Sequence, residues 1–398
     1  MDASLYVHIP FCSSKCAYCD FFSLPRKNWT DFASYISAVY SEIAFYRSQF
    51  GIKKWSSVYI GGGTPSVLPP DFVKMLFENI FSNAPPKKNA EITFEANPES
   101  LTADLLLVLE RVGVNRISLG LQSLSDKALS SVGRTSSAET GLNALSLLEE
   151  KWSGSVSVDF IASLPFQKKD DFLFQFDEIS RFSKINHVSL YSLTIYEETP
   201  LFEKIERNEI PFDEDYSDSL WILGREKLEK LGFFQYEVSN FAKKGFESVH
   251  NSSYWLQKNY VGVGTSSSGT LYDFEKCSAF RWTNVKNVAS YVDFWNQKPR
   301  DFEKIPREIE ILDKKTLEFE FLMTGFRLLS GVSGTEFFAR FGFSILDRKN
   351  SEGIVFSKTF EKWENRALAA RISKKGDERF FLTKNGILFL NAFLEELL

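Results

Sequence analysis

Apolar and polar positions follow a repeating order over the first 240 residues. Short β-branched or aromatic runs at 5–9, 57–60, 91–95, 116–119, 155–161 and 187–193 read as strands. Longer amphipathic stretches near 30–49, 70–81, 102–112, 125–150, 170–182 and 214–231 read as helices. The third helix shows the logic: Thr102 can cap its start, leucines fill one face, and Gly113 follows its end. Gly232 ends the sixth in the same way. Strands alternating with helices imply βαβ units and a parallel sheet. Six such units predict an α/β fold of the TIM type, a partial (β/α)6 barrel. A Gly-, Ser- and aromatic-rich stretch follows at 233–282. Helical pattern resumes near 315–329 and ends at Gly331, and a strand-like run at 379–382 precedes a final amphipathic helix. That tail predicts a smaller, mostly helical, winged-helix-like domain. The expected division is 1–240 for the barrel, 241–305 for a connecting segment and 306–398 for the C-terminal domain.

In such barrels chemistry sits at the carboxyl ends of the strands. This chain puts its unusual residues there. Cys12, Cys16 and Cys19 follow the first strand, and only Cys277 stands elsewhere. Thiolates are the soft ligands that zinc and iron–sulfur clusters select. Three of them leave a four-ligand site incomplete, so a fourth ligand comes from elsewhere or one metal position stays open. Zinc asks for a second ligand pair at short spacing. His8 lies inside the strand, and the next histidine is His187. A cluster with one iron lacking a protein thiolate fits better, and that iron can take a small molecule bearing an amine and a carboxylate.

Composition narrows the field. The hydrophobic share of 43%, the charged share of 25% and the 39 phenylalanines describe an ordinary globular chain with an aromatic bias. The net charge of −5 argues against a general nucleic-acid binder. No apolar run is long enough to span a bilayer, no signal peptide is evident, and the crowded cysteines do not form a disulfide framework. A reducing cytoplasm is the expected compartment.

Further motifs each carry a plain alternative. Gly61-Gly-Gly-Thr-Pro65 can form an anion-binding concavity, or simply a tight turn. Glu95 and Asp159 are carboxylates in otherwise apolar strands; they can hold ribose hydroxyls or an amine, or make structural hydrogen bonds. Gln122 and Arg134 invite the same two readings, and a lone Arg is ordinarily a solvated surface charge. His250, in a loop with Tyr254 and Trp255, is a candidate haem-iron ligand or a hydrogen-bonded structural residue. Cys277 reads as a small core residue.

Together these residues resemble the radical S-adenosylmethionine superfamily, whose cluster motif C-x-x-x-C-x-x-C stands here as Cys12, Cys16 and Cys19. Within it the chain resembles the oxygen-independent coproporphyrinogen III oxidase (HemN) family and, more closely, its HemW branch. Tyr6-Val-His-Ile-Pro-Phe-Cys12, Gly61-Gly-Gly-Thr-Pro-Ser66, Glu95-Ala-Asn-Pro98, Arg116-Ile-Ser-Leu-Gly-Leu-Gln-Ser123 and His250-Asn-Ser-Ser-Tyr-Trp255 carry the likeness. The resemblance implies a [4Fe–4S] cluster on the three thiolates and S-adenosylmethionine on the fourth iron, where reduction yields a 5′-deoxyadenosyl radical. It implies Tyr6, Gly62 and Glu95 around one S-adenosylmethionine. Tyr18, Gly63, Thr64, Gln122, Arg134 and Asp159 match positions that contact a second one in HemN. HemN enzymes carry a fourth cysteine two residues after the third, where this chain has Phe21, as HemW-like proteins do. HemW-like proteins add H-N-x-x-Y-W, with an implied haem-binding role. Two matches depart from the pattern, Ala162-Ser-Leu-Pro165 and the serines of Gly262-Val-Gly-Thr-Ser-Ser-Ser-Gly269.

The expectation is a cytoplasmic haem chaperone of the HemW type, with haem as cargo and His250 as candidate ligand, delivering haem to an acceptor protein. Contact with a membrane surface and a homodimer are compatible with it; nucleic acid is not expected. The alternative is an enzyme, the oxidative decarboxylase of coproporphyrinogen III. No residue is assigned a catalytic role, and whether the scaffold is an enzyme stays open.

Overall fold

The computed structural model describes residues 1–25, 29, 31–297, 301–374 and 376–398. Strand β1 (Asp2–Ile9) leads into a short parallel pair, β2 (Phe11–Cys12) and β3 (Leu24–Pro25), that brackets the cysteine loop. Then come α1 (Phe32–Phe50), β4 (Lys54–Gly62), α2 (Pro70–Asn83), β5 (Pro86–Ala96), α3 (Ala103–Arg111) and β6 (Arg116–Gln122). They are followed by α4 (Asp126–Ser131), α5 (Ala138–Lys151), β7 (Ser155–Ala162), α6 (Lys169–Ser180), β8 (Ile185–Ser192), α7 (Pro200–Glu206) and α8 (Glu214–Lys230). The predicted alternation is present, each strand near its expected place. Residue 30, where the first helix was expected to begin, lies outside the described residues.

The six strands β1, β4, β5, β6, β7 and β8 pair in parallel, in that order. They form the partial barrel. Their outward side chains, such as Val58, Phe94, Leu119, Val158 and Leu190, are buried under the helices. The inward face is polar at every second residue, and the register aligns it across strands. Tyr6 lies beside Tyr59, Glu95 beside Ser118, Gly120 beside Asp159, and Ser157 beside His187.

The helix expected over 125–150 is two helices. Between α4 and α5 the chain turns through Gly133, in the left-handed region at φ 72°, where a side chain would be strained. The turn redirects Arg134 to the barrel mouth, and Ser137 recaps α5 by accepting from Thr140 N–H at 3.1 Å.

The sheet continues past the barrel. β9 (Phe234–Gln235) and β10 (Asn240–Ala242) add to β8; after α9 (Val249–Trp255), β11 (Tyr260–Val263) adds in parallel to β1. β12 (Ser268–Asp273), β13 (Ser278–Asn284) and, beyond α10 (Val288–Asn296), β14 (Arg307–Leu312) complete a 12-stranded sheet. The loop after β11 is fixed by Glu42 of α1, which accepts from Gly264 N–H at 2.9 Å, Asn284 Nδ2 at 2.7 Å and Tyr291 Oη at 2.5 Å. Serines in this loop therefore serve structure: Ser267 Oγ donates to Gly264 O at 2.7 Å.

A smaller unit follows: α11 (Lys314–Gly325), β15 (Val332–Ser333), α12 (Gly334–Phe341), α13 (Phe356–Glu364), the hairpin β16 (Ala369–Lys374) and β17 (Asp377–Leu382), and α14 (Leu390–Glu395). It has its own core, in which Phe326, Phe356, Phe360, Phe380 and Phe393 meet mostly edge to face. β15, lying between α11 and α12, pairs with the later hairpin in a three-stranded antiparallel sheet, so helices and a small sheet make up this C-terminal unit. No described helix is long and apolar enough to cross a membrane.

Candidate functional site at the carboxyl mouth of the barrel

The carboxyl ends of the barrel strands surround a hollow of about 370 Å³. Its lining includes Cys12, Cys16 and Cys19, together with Tyr18, Gly62, Gly63, Thr64, Glu95, Gln122, Arg134 and Asp159. Residues scattered over roughly 150 positions of sequence thus share one cavity. Tyr6 and His250 are not in that lining.

Gly63, just after β4, lets the cysteine loop approach. A Cβ on Gly63 would lie 2.7 Å from Phe11 O and 2.9 Å from Cys12 Sγ. Thr64 N–H donates to Phe11 O at 2.7 Å, and Thr64 Oγ1 donates to Cys12 Sγ at 3.5 Å. All three thiols are free of disulfides. Burial pushes the Cys12 and Cys19 thiols up; Thr64 opposes this at Cys12 and the Phe21 backbone at Cys19. Thiolates held there need a cation. Among the described residues no three His, Cys, Asp or Glu side chains stand close enough to grip one metal ion. A cluster offers each thiolate its own iron, so it needs wider spacing than a mononuclear site. The donor set, three soft sulfurs at the rim of one hollow, fits such a cluster.

The carboxylates face the same space. Glu95 accepts from Tyr59 Oη at 2.7 Å and from Gly62 N–H at 3.1 Å. Burial lifts its carboxyl to about 7, against Tyr59's hydrogen bond and helped by nearby Asp159. Asp159 accepts from Ser118 Oγ at 3.1 Å and is likewise raised by burial. Arg134 is not a solvated surface charge: its Nη2 donates to Gly120 O at 2.6 Å and lies 3.4 Å from Asn97 Oδ1. Gln122 holds φ 65° at the strand end, a conformation a non-glycine residue adopts at a cost of about 1 kcal/mol.

Several lining residues carried no separate signal. Asn97 bridges Arg134 and Thr64, donating to Thr64 Oγ1 at 3.2 Å. Ser118 and Tyr191 lie on the inner face, and Tyr191, Tyr196 and Phe21 leave exposed aromatic surface around the hollow; Phe21 is 68% exposed. Period-two polarity within the parallel strands would have found Ser118 and Tyr191. Tyr6 sits beneath the lining, with its hydroxyl 3.0 Å from His8 Nδ1.

His250 is placed differently from the expectation. It lies in α9, not in a loop, because Ser248 caps that helix by accepting from Asn251 N–H at 3.2 Å. The helix closes the opposite, amino-terminal mouth. Glu91 accepts from Ser248 Oγ, Val249 N–H and His250 N–H at 3.3, 3.1 and 2.8 Å, and Arg116 pairs with it at 3.3 Å. His250 Nδ1 is 2.8 Å from Ser57 Oγ and Nε2 is 2.7 Å from Tyr254 Oη. Burial drives its imidazole down to about 3, so it stays neutral. Trp255 lies under the Arg327 guanidinium at 4.6 Å, tying α9 to the C-terminal unit. His8 and His187 are also buried with both ring nitrogens engaged. Cys277 is partly exposed, at φ 47°, with its thiol 3.1 Å from Arg340 O, far from the other cysteines in sequence and absent from their hollow.

A parallel α/β barrel with three free thiols at its carboxyl mouth defines a radical S-adenosylmethionine protein, and the Radical SAM superfamily description matches residues 6–174. The chain is 38% identical to radical S-adenosyl methionine domain-containing protein 1, mitochondrial, of Bos taurus, across 67% of this chain and 60% of that protein. It is 31% identical to heme chaperone HemW of Escherichia coli across 98% of this chain and 97% of the relative. The structure of coproporphyrinogen III oxidase (HemN) from Escherichia coli superposes with a TM-score of 0.81 at 19% identity, covering 99% and 89% of the two chains; this likeness shows the fold. The chain belongs to the HemW family of the radical SAM superfamily.

Proposed function

We propose that this protein is a cytoplasmic haem chaperone that binds haem and delivers it to an acceptor protein. The cysteine hollow would hold a [4Fe–4S] cluster with S-adenosylmethionine. The observation that carries the cofactor reading is the shared hollow: three free thiols beside Glu95, Arg134 and Asp159. The haem reading draws on end-to-end likeness to proteins named heme chaperones.

When bound, the cluster supplies an electron and an open iron to the sulfonium ligand. The chain's own residues do the rest. Cys12, Cys16 and Cys19 would ligate, Gly62 and Gly63 admit a close ligand, and Glu95 can receive an amine. Arg134 brings positive charge to a mouth otherwise rich in thiols and carboxylates.

Every histidine is buried with both ring nitrogens engaged, so in this conformation none of them, His250 included, offers a free nitrogen to a haem iron. Haem titration of the anaerobically reconstituted protein, followed at the Soret band, tests the reading. Saturable binding is expected in the wild type and is retained in His250→Ala. A wild type that shows no saturable Soret change ends the chaperone reading. Anaerobic incubation with coproporphyrinogen III is expected to give no vinyl product; catalytic turnover there would favour the oxidase.

A further inference from the structure

Below the hollow the barrel interior has a second tier. Tyr59 lies on the inner face of β4, two residues before Gly61, and its hydroxyl donates to Glu95 Oε1 at 2.7 Å. Gly62 N–H donates to Oε2 at 3.1 Å. Each carboxylate oxygen therefore has one protein donor and keeps further acceptor capacity toward the hollow. The arrangement leaves no slack. A Cβ on Gly61 would come within 2.8 Å of the Tyr59 ring and 2.9 Å of the Glu95 carboxyl.

The Tyr59 ring is held in turn. It packs against Tyr6, with centroids 6.1 Å apart, and against the His250 imidazole, with centroids 5.0 Å apart and an interplanar angle of 32°. His250 has no freedom of its own, being fixed by Ser57 and Tyr254 and by the Glu91 carboxylate on its backbone. An unbroken line of contacts thus runs from α9 at one mouth to the carboxylate at the other.

We propose that Tyr59 is the positioning residue that aims Glu95 at the amine of the bound amino-acid moiety, and that His250 is the wedge holding Tyr59 in place. This rests on the reading of the hollow as the S-adenosylmethionine site. It gives the His250-Asn-Ser-Ser-Tyr-Trp255 segment a task at the cysteine mouth, which it does not itself line.

The test is calorimetric binding of S-adenosylmethionine, and of its analogue lacking the amine, to reconstituted protein at matched iron content. Tyr59→Phe is expected to weaken S-adenosylmethionine about fivefold, the worth of one buried hydrogen bond, and to leave the deaminated analogue unchanged. A general structural loss would weaken both. His250→Ala should show the same selective loss, and His250→Phe, which keeps a ring against Tyr59, should recover affinity to within about twofold of wild type. Unchanged affinity in Tyr59→Phe, or equal losses for the two ligands, overturns the proposal while leaving the site reading intact. Absence of S-adenosylmethionine binding in the wild type overturns both. No selective loss in His250→Ala, or none recovered in His250→Phe, overturns the wedge role, and Tyr59→Phe decides the positioning role by itself.

Discussion

Glu91 and Glu95 lie on the same inner face of β5, one toward each mouth of the barrel. At the amino-terminal mouth, Glu91 is enclosed: α9 supplies three donors and Arg116 a fourth. The serines around it, Ser4, Ser57 and Ser253, hydrogen-bond to one another or to His250. At the carboxyl mouth Glu95 has two donors and opens onto the hollow. The two ends have similar residue types, so polarity inside a barrel does not by itself mark a binding site. The distinction is whether the chain itself completes the partners. It does so around α9 and leaves the work unfinished at the cysteines.

The largest test of that contrast removes the thiols. Replacing Cys12, Cys16 and Cys19 together by Ser is expected to reduce iron after reconstitution to background. Unfolding free energy should change by no more than about 1 kcal/mol, since none of the three cysteines belongs to a hydrophobic core cluster of the described residues. Iron retained by the triple variant would mean that a site elsewhere binds metal and would break the contrast.

Next in size is the closed mouth. Glu91→Ala leaves Arg116, with only 6% of its side chain exposed, without its carboxylate, and frees the start of α9. Breaking a buried pair from one side costs about 3–5 kcal/mol. Urea unfolding measures it, and a loss below about 1 kcal/mol would show that α9 is not anchored by this pair.

Glu95→Gln should act in the opposite direction. The carboxyl titrates near 7 in the folded chain against 4.5 when unfolded. Between those values the folded state binds more protons than the unfolded one, so stability is full below about pH 4.5 and declines as pH rises through 7. The amide escapes that decline. Above pH 8 the variant is expected to be more stable than wild type by about 1–2 kcal/mol, the full shift being discounted for the partial exposure of Glu95 to the hollow. Parallel stability–pH curves for the two proteins would remove the assignment of Glu95 as a carboxylate held for an incoming cation.

Much of this was legible in sequence for a physical reason. Strands and helices announce themselves by local period, and a ligand set of three cysteines within eight residues is local as well. What local pattern does not show depends on distant partners. Arg134 entered the candidate site only through the resemblance, because the turn at Gly133 that redirects it interrupts an otherwise continuous helical pattern. Asn97, just past β5, and Tyr191, in β8, gained meaning only when the parallel sheet brought the ends of distant strands to one mouth. His250 and Ser57 are separated by 193 positions, and no periodicity connects them. The segment could be recognised as a motif, yet its location opposite the cysteines is a property of the folded sheet.

The smallest effect probes how α9 is assembled. Ser248 does two things with one hydroxyl: it accepts from Asn251 N–H at 3.2 Å and donates to Glu91 Oε1 at 3.3 Å. Ser248→Ala removes both, whereas Glu91 keeps its two backbone donors and Arg116. Loss of an N-cap costs about 1 kcal/mol, and the remaining donors limit the further damage. Hydrogen exchange should quicken at the amides of Asn251 and Ser252 while the strands beneath stay protected. If the amides of β5 and β6 quicken equally, α9 and the barrel floor open as one unit, and the closed mouth is a cooperative part of the barrel and not a plug seated in it.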